Sequence, residues 1–259
     1  MESNKTRAVL TIITIIKDDP TGLTRTLRSL ARCDFEKLEV LIVDSSADSE
    51  KTKKLKREFV PTATLFWTPP EGIYRAMNTG LEGAIGEYIW FLNAGDELAS
   101  PLALQTVLSA LVTKPDWIYG QVEFTKNGEI GVTPPPFDYE VEKQRRFSHG
   151  RFPPHQGTIV RTELARELGG FDETYAIAAD YHLMLKLSRE NVPVEIPITV
   201  ARFWTGGTSS QSWRQANREF HRARIHALDL STFAQIVNQA QSAMHFLRMA
   251  AGRILGRDG

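Results

Sequence analysis

The chain has 259 residues and no net formal charge, and 42% of its residues are apolar while 24% are charged. These values are typical of a globular protein with a sizeable core, and a neutral chain lacks the global field that would attract nucleic acid. The single cysteine, Cys33, excludes an intrachain disulfide and a thiolate metal cluster, which predicts a reducing compartment, by default the cytoplasm.

The N-terminal part of the chain alternates between strand and helix patterns. Its first apolar run, 8–16, is too short for a membrane span and has no small-residue cleavage site, so it is predicted to be a strand rather than a signal peptide. Further strands are predicted at 38–43, 63–67 and 87–92, and helices from Pro20, around 49–59 and from about 73 to 84. This alternation predicts an α/β fold with a doubly wound, mostly parallel sheet flanked by helices.

The rest of the chain is less regular. A helix is predicted from Pro101 to 112, and the proline- and glycine-rich stretch 127–154 is predicted to be a long loop of the kind that forms lids or binding segments. No internal repeat or low-complexity tract stands out. The remaining predicted elements are strands at 117–119, 121–125, 157–160 and 192–196, helices at 162–168 and 179–189, and a helical tail from Gln211.

The most informative stretch lies where the strand predicted at 87–92 ends in the polar tetrad Asn93-Ala94-Gly95-Asp96. Ligands of open α/β sheets bind outside the carboxyl ends of the strands, so this carboxylate is well placed to hold a metal ion and a phosphate. Asp44 also follows a strand, and Asp180 begins a helix. We expect Asp44 and Asp96 to face the same crevice, although aspartates that only cap helices or close turns would give the same pattern.

Two familiar phosphate-binding signatures are absent from the sequence. There is no Gly-x-x-x-x-Gly-Lys-Ser/Thr, and Gly80, Gly83 and Gly86 are spaced three apart instead of forming Gly-x-Gly-x-x-Gly. A P-loop NTPase and a dinucleotide-dependent oxidoreductase are therefore disfavoured. Without a glycine cradle a diphosphate needs a cation, which predicts Mg²⁺ or Mn²⁺ held by a carboxylate.

Three tryptophans, Trp67, Trp90 and Trp204, could serve as platforms for sugar rings. Large aromatic side chains bury much surface and dominate protein cores, so all three are predicted to be core residues. Tyr74, on the helix that begins near Gly72, is open to either interpretation, because a helix N-terminus also favours phosphate through its backbone.

Five segments carry a resemblance to a known family, and they follow one another at 10–30, 40–48, 72–80, 86–96 and 155–187. The third contains a helix-opening motif from Gly72 to Gly80, and the last contains Gly170-Phe171-Asp172-Glu173 and Ala178-Ala179-Asp180-Tyr181. Together they resemble the inverting family-2 glycosyltransferases of the GT-A fold, in the branch that builds bacterial exopolysaccharides and other surface glycans. The resemblance implies a GT-A domain over 1–210, with a nucleotide-binding half at about 8–100 and an acceptor half at about 101–210, followed by a helical extension at 211–259.

The resemblance assigns roles to individual positions. It implies that Asp180 is the catalytic base and that Asp96 is the ligand for Mg²⁺ or Mn²⁺, with Asn93 in place of the first acid of an Asp-x-Asp motif. Arg75 stands where this branch commonly carries an aspartate. The implied nucleotide-binding residues are Asp44, Ile16, Arg75 and Asn93, and the implied acceptor and diphosphate contacts are His155, Gln156, Gly206, Gly207 and Thr208.

The implied function is a metal-dependent, inverting transfer of a sugar from a nucleoside-diphosphate-sugar to a hydroxyl of a glycan or of a polyprenyl-linked acceptor. Two alternatives stay open. A non-catalytic nucleotide- or glycan-binding homologue is the first, because Asn93 and Arg75 depart from the family pattern. A nucleotidyltransferase is the second, although it would normally have a glycine-rich N-terminal phosphate loop, which Ile15 to Pro20 is not.

The helical tail carries apolar residues at helical spacing, with arginines near its end. Such a helix most often packs on its own domain or on another subunit. Packing on another subunit would make the protein a homo-oligomer. The functional interpretation is a peripheral contact with the inner face of the membrane that brings the enzyme to a lipid-linked acceptor. The apolar residues are Phe233, Ile236, Val237, Ala240, Met244, Leu247, Ala251 and Ile254, and the arginines are Arg248, Arg253 and Arg257.

Overall fold

A nine-stranded mixed sheet lies between two layers of helices in the computed structural model, which describes residues 8–126, 129–130, 137–144, 152–204 and 213–254. The strands are β1 (Leu10–Ile16), β2 (Leu38–Asp44), β3 (Thr64–Trp67), β4 (Tyr88–Phe91), β5 (Glu97–Leu98), β6 (Trp117–Lys126), β7 (Glu129–Ile130), β8 (Thr158–Arg161) and β9 (Val194–Trp204). The helices are α1 (Pro20–Leu30), α2 (Glu50–Phe59), α3 (Ile73–Gly83), α4 (Pro101–Leu111), α5 (Tyr139–Gln144), α6 (Thr162–Glu167), α7 (Ala179–Glu190), α8 (Trp213–Leu228) and α9 (Thr232–Ile254). The predicted α/β class and the predicted C-terminal helices are confirmed.

The N-terminal half of the sheet is parallel and has β1 at its centre. β1 pairs with β2 on one side and with β4 on the other, and β3 follows β2. Every residue of β1 is buried, because helices cover this β-branched run on both faces. α1, α2 and α4 pack on one face of the sheet, and α3, α6 and α7 pack on the other. Parallel pairing brings the carboxyl ends of β1, β2 and β4 to one edge of the sheet.

Parallel pairing gives way to antiparallel pairing in the second half of the sheet. β8 lies between β4 and β6 and is antiparallel to both. β9 runs parallel to β6 and continues to Trp204, beyond the strand end that the sequence predicts at Ile196. Pro197 interrupts the strand pattern, and the pairing shifts register opposite it, so the strand passes the proline through a bulge. The extension also pairs with the two-residue strand β5.

The tryptophan predictions hold for Trp90, which is fully buried, and are wrong for Trp67 and Trp204. β3 is the edge strand of the sheet, and Trp67 at its end is 61% exposed. Trp204 ends β9 and is only partly buried, at the wall of a cavity.

The C-terminal helices pack against the sheet domain through α8 and leave an apolar face of α9 uncovered. α8 lies on α7, and α9 contacts α8. Phe233, Ile236 and Leu247 on α9 are each more than half exposed. None of the helices in the described ranges has both the length and the apolar character that crossing a bilayer requires. The side chains of Arg248 and Arg253 and all of Arg257 lie outside the described residues.

Candidate active site

A cavity of about 680 Å³ lies at the carboxyl edge of the parallel strands, beside the turn that follows β4. Tyr74 from α3 and Trp204 from β9 form part of its wall. We call it the active-site cavity, because it brings together residues to which the sequence assigns three different tasks. These residues are Asn93, Asp96, His155, Gln156 and Asp180.

Hydrogen bonds from β1 and from α1 hold the turn after β4. β4 is buried throughout, and its pairing continues beyond the strand because Ala94 donates its N–H to a carbonyl of β1 at 3.0 Å. Gly95 has a φ of +108°, which lets the chain reverse so that the N–H of Asp96 reaches the carbonyl of Asn93 at 2.8 Å. From α1, the hydroxyl of Thr26 accepts the N–H of Gly95 at 3.0 Å and lies 3.1 Å from the carbonyl oxygen of Asn93. The backbone of the turn is therefore fixed before any ligand arrives.

The turn presents a buried carboxyl group and a buried amide oxygen. Asp96 is 4% exposed, and its Oδ2 accepts the backbone N–H of Asn93 at 3.0 Å. Burial raises the pKa of Asp96 to about 7, although the charge of His155 and hydrogen bonds from Asn93 and Gln156 lower it in part. The Oδ1 atom of Asn93 has no hydrogen-bond partner among the described residues. Two acceptor groups with unused capacity thus lie on one short turn.

The imidazole of His155 connects Asn93 to Asp180. His155 opens a single 3₁₀ turn, and the carbonyl of the next residue, Gln156, accepts the indole N–H of Trp90 at 2.6 Å. Nδ1 of His155 is 3.1 Å from Oδ2 of Asp180, and Nε2 is 3.3 Å from Nδ2 of Asn93. Burial alone would lower the pKa of His155, but its hydrogen bond to Asp180 and the neighbouring carboxylates outweigh burial and raise the pKa above its usual value.

Asp180 is the second residue of α7 and makes contacts through both of its carboxylate oxygens. Oδ1 accepts the N–H of Tyr181 at 2.7 Å and lies 3.3 Å from the hydroxyl oxygen of Tyr74, whose shorter hydrogen bond is donated to the carbonyl of Ile177. Burial and the charge of Asp180 raise the pKa of Tyr74, so its phenol stays protonated and remains a donor. The sequence leaves the role of Tyr74 open, because this contact joins residues 106 positions apart.

A carboxylate from the C-terminal extension supports the start of α7. Glu219 on α8 accepts the backbone N–H groups of Ala176, Ile177 and Ala178 at 3.2, 2.7 and 3.1 Å. Burial alone would raise the pKa of Glu219, but these N–H groups and the side chain of Gln215 lower it below its usual value. Sequence analysis misses Glu219, because its partners lie 41 to 43 positions away and no local motif marks it.

Asp44 and Ile16, which the resemblance assigns to the nucleotide, are not among the described residues that line the active-site cavity. They are paired residues at the ends of β2 and β1, so they share the sheet edge with Asp96 without sharing its cavity. Asp44 is fully buried, and its Oδ1 accepts the N–H of Ser46 at 2.8 Å. Its Oδ2 has no hydrogen-bond partner in the described ranges.

Arg75 is not among the described residues that line the active-site cavity either. Arg75 lies on α3, is half exposed, and forms ion pairs with Glu71 at 2.7 Å and with Glu173 at 3.5 Å. The pair with Glu173 connects the helix-opening motif to the segment Gly170-Phe171-Asp172-Glu173. Gly206, Gly207 and Thr208 lie outside the described residues.

The chain is similar to known proteins over most of its length. The model of a family described as glycosyl transferase family 2 matches residues 11–169. A protein of Mycobacterium tuberculosis named uncharacterized glycosyltransferase Rv1514c is 27% identical over 209 residues, which cover 78% of this chain and 77% of that protein.

Solved structures share the fold at low sequence identity. S. aureus TarS 1–349 in complex with UDP-GlcNAc superposes with a TM-score of 0.64 at 18% identity, over 91% of this chain and 70% of that one. The mannosyltransferase PcManGT from Pyrobaculum calidifontis, in complex with GDP-Man and Mn²⁺, has a TM-score of 0.63 at 18% identity, over 95% of this chain and 76% of that one. The GT-A fold implied by the sequence is thereby confirmed.

Proposed function

Because the chain belongs to glycosyl transferase family 2, we propose that it transfers a sugar from a nucleoside-diphosphate-sugar to a hydroxyl of a glycan or lipid-linked acceptor, with inversion at the anomeric carbon. The observation that carries this proposal is the single cavity that holds Asp180 and Asp96, with His155 between Asp180 and Asn93. An inverting transfer needs a base on the acceptor side and stabilisation of charge on the leaving group. The active-site cavity offers a group for each task.

Asn93 and Asp96 fit a divalent cation, Mg²⁺ or Mn²⁺. The fit rests on the buried carboxyl group of Asp96 and on the Asn93 Oδ1 atom, which has no hydrogen-bond partner in the described part of the chain. No group of three or more His, Cys, Asp or Glu side chains among the described residues could enclose a metal ion, so phosphate oxygens of the donor would supply further ligands. When bound, the cation would neutralise the charge that develops on the diphosphate leaving group.

Asp180 is the proposed catalytic base. Its carboxylate would accept the proton of the acceptor hydroxyl as that oxygen attacks the anomeric carbon, while the bond from this carbon to the diphosphate breaks on the opposite side. One displacement of this kind inverts the configuration. The contacts from His155, from the Tyr74 hydroxyl and from the Tyr181 N–H hold the carboxylate in place for this task.

The donor nucleoside is proposed to lie at the ends of β1 and β2, where Ile16 and Asp44 are paired and the Asp44 Oδ2 atom lacks a partner among the described residues. TarS and PcManGT were solved with UDP-GlcNAc and GDP-Man, which supports a nucleoside-diphosphate-sugar as donor. Arg75, which is paired with Glu71 and Glu173, is a further proposed donor contact. The other proposed diphosphate contacts are Gln156, Gly206, Gly207 and Thr208.

The acceptor is proposed to belong to a bacterial exopolysaccharide or another surface glycan, in line with the sequence resemblance. If a polyprenyl lipid carries this acceptor, the exposed apolar side chains of Phe233, Ile236 and Leu247 on α9 would hold the enzyme at the inner face of the membrane. The enzyme would then act from the cytoplasm.

Calorimetric titration of UDP, GDP, TDP and CDP, each with Mn²⁺ and with EDTA, tests the donor site. We expect selective, metal-dependent binding that Asp96→Ala abolishes and that Asp34→Ala, at an exposed aspartate outside the cavity, retains. The matching nucleotide-sugar is then hydrolysed slowly without acceptor, and NMR identifies the anomer that is released first. Metal-independent binding without turnover would favour the non-catalytic homologue instead.

A further inference from the structure

A second cavity, of about 870 Å³, lies beside α1 and α2 and is strongly basic. Six of its lining side chains are lysine or arginine and two are glutamate, whereas the chain as a whole carries no net charge. The concentration of positive charge is therefore local. We call this the basic cavity, and its basic residues are Arg25, Arg28, Arg32, Lys51, Lys54 and Arg202.

The basic side chains come mainly from two packed helices. Arg25, Arg28 and Arg32 follow one another at intervals of three and four residues along α1 and the turn after it, so they share one helix face. Lys51 and Lys54 have the same relation on α2, which packs against α1. The two helices therefore both direct basic side chains into the same cavity.

Two of the guanidinium groups lie over aromatic rings within cation–π distance. Cζ of Arg25 is 3.7 Å from the centroid of the Trp204 ring, and Cζ of Arg28 is 5.6 Å from that of Phe59. A stacked guanidinium keeps its N–H donors in its own plane, where they can bind the oxygens of an anion. In the described part of the chain neither group has an ion pair or a hydrogen bond, whereas Arg161 is paired with a carboxylate at 3.0 Å.

The basic cavity adjoins the active-site cavity. Trp204 lines the active-site cavity, and its ring is the one on which Arg25 stacks. Glu97 lines the basic cavity and directly follows Asp96, which lines the other. A molecule that binds at Asp180 and is long enough to pass Trp204 would reach the basic cavity.

We propose that the basic cavity binds a phosphate or diphosphate group of the acceptor. This inference rests on the proposed function, and it restricts the acceptor of the transfer reaction to molecules that carry a phosphate group. Arginine forks bind pairs of phosphate oxygens, and several cations around one space suit an anion with more than one charge. Arg202 is paired with Glu123 at 2.8 Å, and the other five cations still outnumber Glu58 and Glu97 in the lining. This phosphate is distinct from the donor diphosphate, whose proposed place is at Asn93 and Asp96 in the active-site cavity.

Calorimetry with inorganic pyrophosphate in EDTA tests the inference, because the metal-dependent donor site does not contribute under these conditions. We expect saturable binding to the wild-type protein and a loss of roughly tenfold or more in the double variant Arg28→Gln/Arg32→Gln. The matched control is Lys53→Gln/Arg57→Gln, which removes the same charge from exposed positions on α2 outside the cavity. Equal weakening in both variants, or no saturable binding to the wild type, would overturn the inference.

Two further titrations separate the sources of failure. The nucleoside diphosphate that binds the wild type among UDP, GDP, TDP and CDP, titrated with Mn²⁺, is expected to bind the Arg28→Gln/Arg32→Gln variant equally well. Binding of that nucleotide without binding of pyrophosphate would reject the acceptor inference alone. If pyrophosphate and all four nucleotides fail to bind the wild type, the proposed function fails as well. Flotation with phosphatidylglycerol vesicles is the third test. If the protein binds the vesicles through Arg28 and Arg32 but does not bind pyrophosphate, the basic cavity contacts a membrane surface, and the inference is overturned.

Discussion

His155 and Asp180 are joined by a hydrogen bond of 3.1 Å between Nδ1 and Oδ2. The other ring nitrogen lies beside the amide nitrogen of Asn93, which only donates, so Nε2 accepts and the ring proton stays on Nδ1. The neighbouring carboxylates favour the imidazolium form, whereas the Asn93 amide favours the neutral ring. This arrangement sets both the tautomer of His155 and the orientation of the Asp180 carboxylate.

Replacing Asp180 with asparagine removes the proposed base while nearly keeping its shape. We expect kcat to fall by about 10²–10⁴-fold, the usual contribution of a general base, and the Kd for nucleotide with Mn²⁺ to stay unchanged. Steady-state kinetics and calorimetry on the same preparation measure both quantities. A parallel loss of nucleotide binding would place Asp180 in the donor site instead.

His155 is expected to act as a positioning residue for Asp180. His155→Gln should lower kcat by up to about 10²-fold, because a misplaced reacting group costs this much. The pKa of His155 is raised above its ordinary value, so kcat at saturating donor should fall as the pH drops through that pKa, when Nε2 gains a proton that faces the Asn93 amide. His155→Gln should lack this inflection. Tyr74→Phe, which removes the other side-chain contact of Asp180, should retain it.

Metal-dependent nucleotide binding should strengthen as the pH rises from about 6 to about 8. Burial raises the pKa of Asp96 to about 7, so a cation that binds this carboxyl group must displace a proton at lower pH. Calorimetry in buffers of different ionisation enthalpy counts the proton released. A pH-independent affinity with no proton release would show that Asp96 is not a ligand.

The same pKa shift should affect the stability of the metal-free protein. Folded Asp96 keeps a proton that the unfolded chain loses near its ordinary pKa of 3.8, so this group's contribution to the free energy of unfolding falls as the pH rises from about 4 to about 7. Asp96→Asn removes that effect and should therefore be more stable than the wild type at about pH 8, with the advantage shrinking toward about pH 4. Thermal unfolding in EDTA at both pH values measures it. An equal stability difference between Asp96→Asn and the wild type at both pH values would show that burial does not raise the pKa of Asp96.

Glu219→Gln should destabilise the protein by about 1–3 kcal/mol at neutral pH, because it weakens the acceptor of three backbone N–H groups, of which that of Ala178 is buried. The pKa of Glu219 is lowered, so its contribution is present above the unfolded pKa and is lost as the pH falls through the folded value. Urea unfolding of the variant and the wild type should therefore converge in acid. Glu163→Gln, at an exposed surface ion pair, should change stability by no more than about 0.5 kcal/mol.

The N-terminal half of the fold is predictable from sequence because its signals are local. The β-branched run of β1 and the prolines that open α1 and α4 mark their elements to within a residue or two. The second half depends on tertiary pairing. β5 has only two residues, and β9 crosses Pro197 because β6 supplies its partners on both sides of the bulge.

Some residues of the candidate site can likewise be predicted from local sequence signals, and others cannot. Asp96 and Asp180 stand next to strand and helix signals, so their motifs could be identified in the sequence. The contacts of Tyr74 and Glu219 with the start of α7 have no such signal, because they join distant segments. The basic stripe on α1 is visible as a helical repeat, but the ring of Trp204 that orders Arg25 lies on another element.

The support that Glu219 gives to α7 has a consequence for engineering this chain. The match to the family model ends at residue 169, and both Asp180 and Glu219 come after it. A shortened chain that ends at residue 210 would leave the N–H groups of Ala176, Ile177 and Ala178 without their acceptor. Chimeras that exchange C-terminal segments among relatives would therefore also change the support of the backbone just before Asp180, so the tail is not an interchangeable module.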